Sequence, residues 1–429
     1  MLGYQGVVPV VVQIFEIFSG GYHTKYLELV LAKLVQLRNE GKIVLIILTT
    51  SEKHRNSRDF ADRLSRFSTE ICLDIIPGDL CMERDAQKVG GALIDSIRRN
   101  RPDFVLSTSA NYGAFTLALR SFFGASFSKR GITSVGVLQG SDFGSVRNGK
   151  NRLRDGVQRF SSRFSPWSEL HVLDPLLYET PTRQGSRTAQ RLKLLPTPAK
   201  RLPRIGKSVA RHMLNLPPEG RYIGHVGTSD GRNAVPELLA AFRAADLSED
   251  ARLFLAGERI VEPYRRLIAE HYADLVTQGR LVLIDRHLSP SELHAANCAA
   301  DAVAVTYGAD ELVANLLEVA AAGRPAIASS HGYTGRMIQD YQLGWSCDLR
   351  DAACFTETIR RAMTDGPDYQ LSAQGELLLS FHESSNYVNT LLRPLYVRLG
   401  LVIPKLTTWD DVVRPAPAQS PGHVPTISR

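Results

Sequence analysis

The sequence predicts an α/β protein built as two doubly wound domains, each an open parallel sheet with helices on both faces. Three observations lead there. Short β-rich runs alternate with amphipathic helical patterns along nearly the whole chain. At 429 residues the chain exceeds what one ordinary hydrophobic core accommodates. The alternation is broken once, near the middle, by a Pro-rich basic stretch.

In the first half, strands are read over VPVVVQIF, IVLIILTT, FVLSTSA, ITSVGVLQG and LHVLD. Such runs suit strands covered on both faces. KYLELVLAKLVQLRNEG has a helical period and ends on Gly41, a fitting C-cap. LLPTPAKRLPRIGK, residues 194–207, holds three prolines and four basic residues and breaks both periods. It divides a first domain, 1–196, from a second, 197–380. There RYIGHVG, ARLFLAG, RLVLID, AVAVTY and RPAIASS repeat the plan. SSNYVNTLLRPLYVRLG is a helical pattern expected to kink at Pro394. It lies in a segment, 381–410, expected to pack back toward the first domain. Residues 411–429 are Pro-rich and poor in apolar side chains, so they read as a disordered tail.

Composition narrows the function. Apolar residues make up 44% and charged residues 22%, the balance of a soluble globular protein. No run approaches the roughly 18–20 apolar residues of a membrane-spanning helix. The opening MLGYQGVVPVVVQIF lacks a basic flank and is interrupted by Gln13 and Glu16. It reads as a buried strand rather than a signal peptide, and a cytoplasmic protein is expected. The five cysteines are scattered and the eleven histidines show no HxxxH or HExxH pattern, so no metal is expected.

Charge is uneven. Residues 1–196 hold 27 Lys/Arg against 18 Asp/Glu, a net +9, while the rest hold 24 against 26, a net −2. This suggests an anionic partner for the first half, and a solvated basic surface explains it equally well. Nucleic acid is disfavoured, because no helix-turn-helix, zinc or RNA-binding motif is present. Residues 145–167 interleave six basic residues with Phe160, Phe164 and Trp167. A helix lying on the inner face of an anionic membrane would show this spacing. Core aromatics beneath a solvated basic face show it too, and that reading is preferred.

The most informative segment is ADAVAVTYGADELVANLLEVAAAGRPAIASSHGYTGRMI, residues 300–338. It reads as strand, loop, helix and strand. The loop falls at the carboxyl edge of a parallel sheet, and the helix from about Ala314 to Ala322 turns its first amides toward that loop. Asp310 and Glu318 flank this turn with seven residues between them. An acid, seven residues, Glu and a small-residue run ending G-x-P is a family signature. In it this chain resembles the retaining family-four glycosyltransferases, the glycosyltransferases group 1. YIGHVGTSDGRNAVPELLAAF, residues 222–242, resembles that family's strand, Gly, basic loop and L-L-x-A-F helix. GGYHTKYLELVLAKL resembles its first Gly-Gly turn.

The resemblance implies a GT-B fold, two Rossmann-like doubly wound domains facing across a cleft. It implies transfer of a hexose from a UDP- or GDP-sugar to an acceptor hydroxyl on a glycan, a lipid-linked molecule or a small molecule. Configuration would be retained, with no cofactor. It places the sugar contact on Asp310 and the ribose contact on Glu318. Arg232 would meet the diphosphate beside Asn233 and Gly227, with amides of Leu312, Val313 and Ala314 helping. Backbone near Leu288 would meet the nucleobase. Gly20, Gly21, His23 and Gln139 would line the acceptor and phosphate side.

Departures from the family pattern qualify these roles. Asn233 stands at the usual lysine and Gln139 at a frequent histidine. Glu311-Leu312-Val313 replace Gly-Phe-Gly, and Glu311 competes with Asp310 as the first acid. These changes motivate an alternative: a degenerate GT-B protein that binds a nucleotide sugar, or a partner enzyme, without transfer.

Overall fold

A computed structural model describes residues 9–17, 22–78, 85–110, 114–122, 127, 131–138, 165–173, 175, 178, 192–227, 229, 233–258, 260–307 and 314–413. The chain forms two compact units. One comprises Met1–Pro196 with Ser384–Leu406, the other Thr197–Glu383 with Thr407–Arg429.

The first unit holds β1 (Val11–Phe15), β2 (Leu45–Ser51), β3 (Cys72–Ile76), β4 (Phe104–Ser107), β5 (Thr133–Leu138), β6 (Glu169–Val172) and β7 (Leu192–Leu194). They form one sheet in the order β3-β2-β1-β4-β5-β6-β7, with every neighbouring pair parallel. Val12, Ile14, Ile46, Leu48, Phe104 and Leu106 are fully buried in it. Leu27, Leu31 and Leu34 of helix Tyr22–Asn39 pack in the same core. Gly41 follows that helix at φ +69°, and its N–H donates to the Arg38 carbonyl, closing the last turn.

Helix Ser384–Arg398 also belongs to this core, through Tyr387, Leu391, Leu392 and Leu395. The rings of Tyr26 and Tyr387 lie 5.4 Å apart. The helix runs through Pro394 as one element. Arg398 fastens its end, donating to Asp103 and to the Gly131 carbonyl at 2.8 Å each.

The second unit holds β8 (Arg221–Val226), β9 (Ala251–Ala256), β10 (Leu281–Ile284), β11 (Ala302–Val305), β12 (Ala326–Ser329) and β13 (Gly344–Cys347). Its order is β10-β9-β8-β11-β12-β13, again wholly parallel. Asp301, just before β11, accepts from the Tyr222 N–H at 2.8 Å and pairs with Lys207 and Arg211. These contacts tie helix Lys207–Met213 beneath the sheet. Residues 411–413, read from sequence as tail, belong to helix Trp409–Val413, whose Trp409 packs on Phe381 and Tyr341. Residues 414–429 lie outside the described residues.

Trp167 is a core residue, 2% exposed, edge-on to Phe127. A Cβ on Gly136 would lie 2.9 Å from its ring, so the glycine makes room for the indole. A membrane-facing role for Trp167 is thereby removed. Phe160 and Phe164 lie outside the described residues. No helix among the described residues is long and apolar enough to cross a membrane.

His382 is buried in the second unit, where its Nδ1–H donates to the Thr197 carbonyl at 3.0 Å. Burial lowers its pKa from 6.5 to about 4, against the opposing pull of that hydrogen bond. Its stabilising contribution is therefore full above pH 6.5 and is lost as pH falls toward 4, on the order of 3 kcal/mol. His382→Asn keeps a donor toward Thr197 and removes the titration. Denaturant unfolding at pH 7 and pH 4.5 should show a smaller pH dependence in the variant. An unchanged dependence would assign the acid sensitivity elsewhere.

Candidate functional site

In a parallel sheet every strand end of one kind lies on one edge, and the chain winds outward in both directions from one pair of strands. In the second unit that pair is β8 and β11. Loops leaving their carboxyl ends diverge and leave a crevice where open α/β sheets hold ligands.

β8 is followed by Gly227, whose φ of +128° suits glycine and whose N–H donates to the Ala256 carbonyl at 2.9 Å. A Cβ there would lie 3.1 Å from the Tyr307 hydroxyl. Gly257, after β9, has φ +148°, and a Cβ on it would strike the Gly227 carbonyl oxygen. Both glycines thus let two strand ends close on each other.

The returning loop is stitched to the end of β11. Asn233 bridges Tyr307, the Ala234 N–H donates to the Thr306 carbonyl at 3.0 Å, and the Tyr264 hydroxyl donates to the Asn233 carbonyl at 3.1 Å. Asn233 is itself buried at 5% exposure. This stitching brings together the chain flanking two loops of the sequence reading. Arg232 of one, and Asp310, Glu311, Leu312 and Val313 of the other, lie outside the described residues.

Helix Ala314–Ala321 starts at the same place. Asn315 in its first turn donates from Nδ2 to the Val226 carbonyl at 2.9 Å, pinning the helix start to the end of β8. Ala314 is buried, and Glu318, one turn on from both, is half-buried. Leu288, past β10, is buried at 4%, beside a helix start capped reciprocally by Ser289 and Glu292. The second unit thus gathers Gly227, Asn233, Ala314 and Glu318 around the β8–β11 ends, with Leu288 beyond the edge strand. Asn315 and Tyr307 were not singled out by sequence reasoning. Gly257 did stand in view, as the glycine closing the strand run ARLFLAG.

In the first unit, β1 runs into Glu16, which is wholly buried. Its carboxylate accepts from the Thr108 hydroxyl after β4 and from His23 Nδ1 at 3.1 Å. Burial opposes charge on His23, but the charge and hydrogen bond of Glu16 outweigh it and raise the histidine's pKa. His54 is buried beside them, with Nδ1 3.0 Å from the Thr50 hydroxyl and Nε2 3.2 Å from that of Thr24. Burial pushes its pKa down. Of the residues expected on this side, His23 stands in this cluster, while Gly20, Gly21 and Gln139 lie outside the described residues. Among the described residues, no group of three or more His, Cys, Asp or Glu is placed to hold a metal ion.

Residues 220–365 match the model of the family described as glycosyl transferases group 1. This part of the chain is a group 1 glycosyltransferase domain. It spans the whole second sheet, from β8 to β13. Among curated proteins no significant sequence match is found. Solved structures share the fold along most of the chain. HepE of Anabaena, solved in complex with UDP, is 14% identical with a TM-score of 0.63, covering 90% of this chain and 100% of that one. A glycosyltransferase from Rickettsia africae is 11% identical with a TM-score of 0.63, covering 92% and 100%. Sucrose-phosphate synthase of Thermosynechococcus elongatus is 16% identical with a TM-score of 0.61, covering 91% and 99%. At these identities the likeness establishes the fold, which is of the GT-B type.

The glycine pair gives a direct test of the group 1 domain's strand-end packing. Gly257→Ala should lose about 2 kcal/mol or more in denaturant unfolding, from an unfavourable φ and a backbone collision together. Gly91→Ala, inside helix Ala86–Asn100 where a Cβ meets nothing within 4 Å, should not destabilise the protein. Equal effects would mean that the Gly227–Gly257 approach does not constrain the edge.

Proposed function

We propose that the chain is a glycosyltransferase that moves a hexose from a UDP- or GDP-sugar to an acceptor hydroxyl with retention of configuration. The observation that carries this reading is the junction of Asn233–Ala234, Thr306–Tyr307 and Asn315 at the carboxyl ends of β8 and β11. It supplies a helix start pinned beside two loops, a place suited to a diphosphate. HepE, solved with UDP, has the same fold.

In this reading Glu318 accepts the ribose hydroxyls, since an ionised carboxylate accepts several hydrogens and donates none. Arg232 and the amides from Glu311 to Ala314 counter the diphosphate charge. Asp310 contacts the sugar, and backbone near Leu288 faces the base. Gly20, Gly21, His23 and Gln139 serve the acceptor side.

The bond from the anomeric carbon to the β-phosphate oxygen breaks as the acceptor oxygen bonds to that carbon on the same face. The acceptor proton passes to the departing phosphate, so no enzymic nucleophile is needed. Positive groups around the phosphate stabilise the charge that develops there.

The buried Asn233 and the side chains at Glu311–Val313 favour a second reading, a nucleotide-sugar binder without transfer. Nucleotide release from a panel of nucleotide sugars separates the two. Release above the uncatalysed rate supports transfer chemistry, and binding without release supports the second reading.

Three variants test the assigned roles. Glu318→Ala should weaken nucleoside diphosphate binding by about 1.5–3 kcal/mol, the value of hydrogen bonds to a charged acceptor, while the fold survives. Calorimetric titration reads this, and an unchanged affinity removes Glu318 from the site. Asp310→Asn should cut nucleotide release at least about tenfold, or about 1.4 kcal/mol of barrier, and well beyond Glu311→Gln. The reverse order would move the sugar contact to Glu311.

A further inference from the structure

Glu16 is a carboxylate with no exposed surface, set one residue beyond β1. A buried carboxylate stays ionised only when a cation or several donors face it. Among the described residues, donors to it come from different elements, Thr108 after β4 and His23 in the first turn of helix Tyr22–Asn39.

Among the described residues, the other titratable groups seen to touch this cluster do not replace His23 as the cation. His54 of helix Glu52–Arg55 is bonded to Thr24 and Thr50, and burial pushes it toward the neutral form. Asp59, on helix Arg58–Leu64, adds negative charge near His54. Tyr387, from helix Ser384–Arg398, is kept protonated by burial and by the charge of Glu16. Ser51 is engaged with the Ile17 carbonyl at 2.6 Å.

The exposures of the pair differ: 0% of the Glu16 side chain reaches solvent, against 15% for His23. A ligand arriving at this edge therefore meets the imidazole ring and not the carboxylate. The edge is the carboxyl edge of the first sheet, since Glu16 and Thr108 each follow the end of a parallel strand. Residues 1–196 carry the chain's excess of positive charge, 27 Lys/Arg against 18 Asp/Glu.

We propose that Glu16 is a positioning residue that holds His23 charged and fixed at this edge, where its imidazolium binds an anionic oxygen group of the acceptor, a phosphate or a carboxylate. Glu16 fixes the ring through Nδ1 and supplies the compensating charge from inside the protein. The inference rests on the reading that the first unit serves the acceptor.

The test follows the imidazole carbon-bound proton of His23 by NMR in the full chain, assigned by its loss in His23→Gln. Three results are expected. His23 titrates above the ordinary histidine value in the wild type. Its midpoint falls in Glu16→Gln and is restored in Glu16→Asp. Inorganic phosphate or acetate, added against chloride of equal ionic strength, shifts the resonance saturably, and the response weakens about tenfold in Glu16→Gln. A response to phosphate alone points to phosphorylated acceptors, and one to acetate alone to carboxylated ones.

A wild-type His23 that titrates at or below the ordinary value, or that responds to neither anion beyond chloride, overturns the proposal without reference to any variant. UDP and GDP binding measured on the same samples keeps the two readings apart. Failure to bind either nucleotide counts against the transferase reading while leaving the behaviour of Glu16 and His23 as measured.

Discussion

A parallel sheet forbids tight hairpins, so each strand of the second unit returns through a helix and begins again at the same edge. When the chain starts in the middle of such a sheet and builds outward both ways, one pair of neighbouring strands sends its loops in opposite directions. Here that pair is β8 and β11. The crevice between their loops follows from topology, before any particular side chain is considered. Gly227 and Gly257 then let the strand ends approach, and Asn315 fixes the helix that follows β11 against the end of β8. Each proposed donor contact depends on this arrangement for its position.

The first unit obeys the same constraint with different chemistry. Its carboxyl edge carries Glu16, Thr108, Ser51 and two histidines, most of them buried. Buried polar groups at a strand end are unfavourable unless they bond one another, and here they do. Helix Ser384–Arg398 completes the core beneath them, so a segment late in the sequence supports residues near its beginning. Deleting that helix would expose the apolar faces of Leu27, Leu31 and Leu34 and loosen the turn that carries His23.

The interior of both sheets was legible in the sequence, and three of their four edges were not. All ten strands read from apolar runs exist. The three that escaped, β3, β7 and β13, are all edge strands. Half-exposed edges need little apolar content: CLDII, LKL and GWSC show hardly any fully buried position. β7 also runs into the Pro-rich stretch read as a linker from residue 194. For the site, Glu318 and Asn233 could be named because a motif frames them. Glu16 registered only as an interruption in an apolar run. Its partners Thr108 and His23 are 92 and 7 residues away, and nothing local announces their meeting.

The central claim is that the β8–β11 end of the group 1 domain holds the nucleotide of a sugar donor. Amide hydrogen exchange with and without saturating UDP, and separately GDP, tests it most directly. With the nucleotide that binds, peptides covering residues 222–235 and 300–320 should exchange more slowly, because a bound diphosphate engages loop and helix-start amides there. Slowing confined to the first unit's edge, around residues 12–24 and 104–110, with residues 222–235 and 300–320 unchanged, would contradict the account.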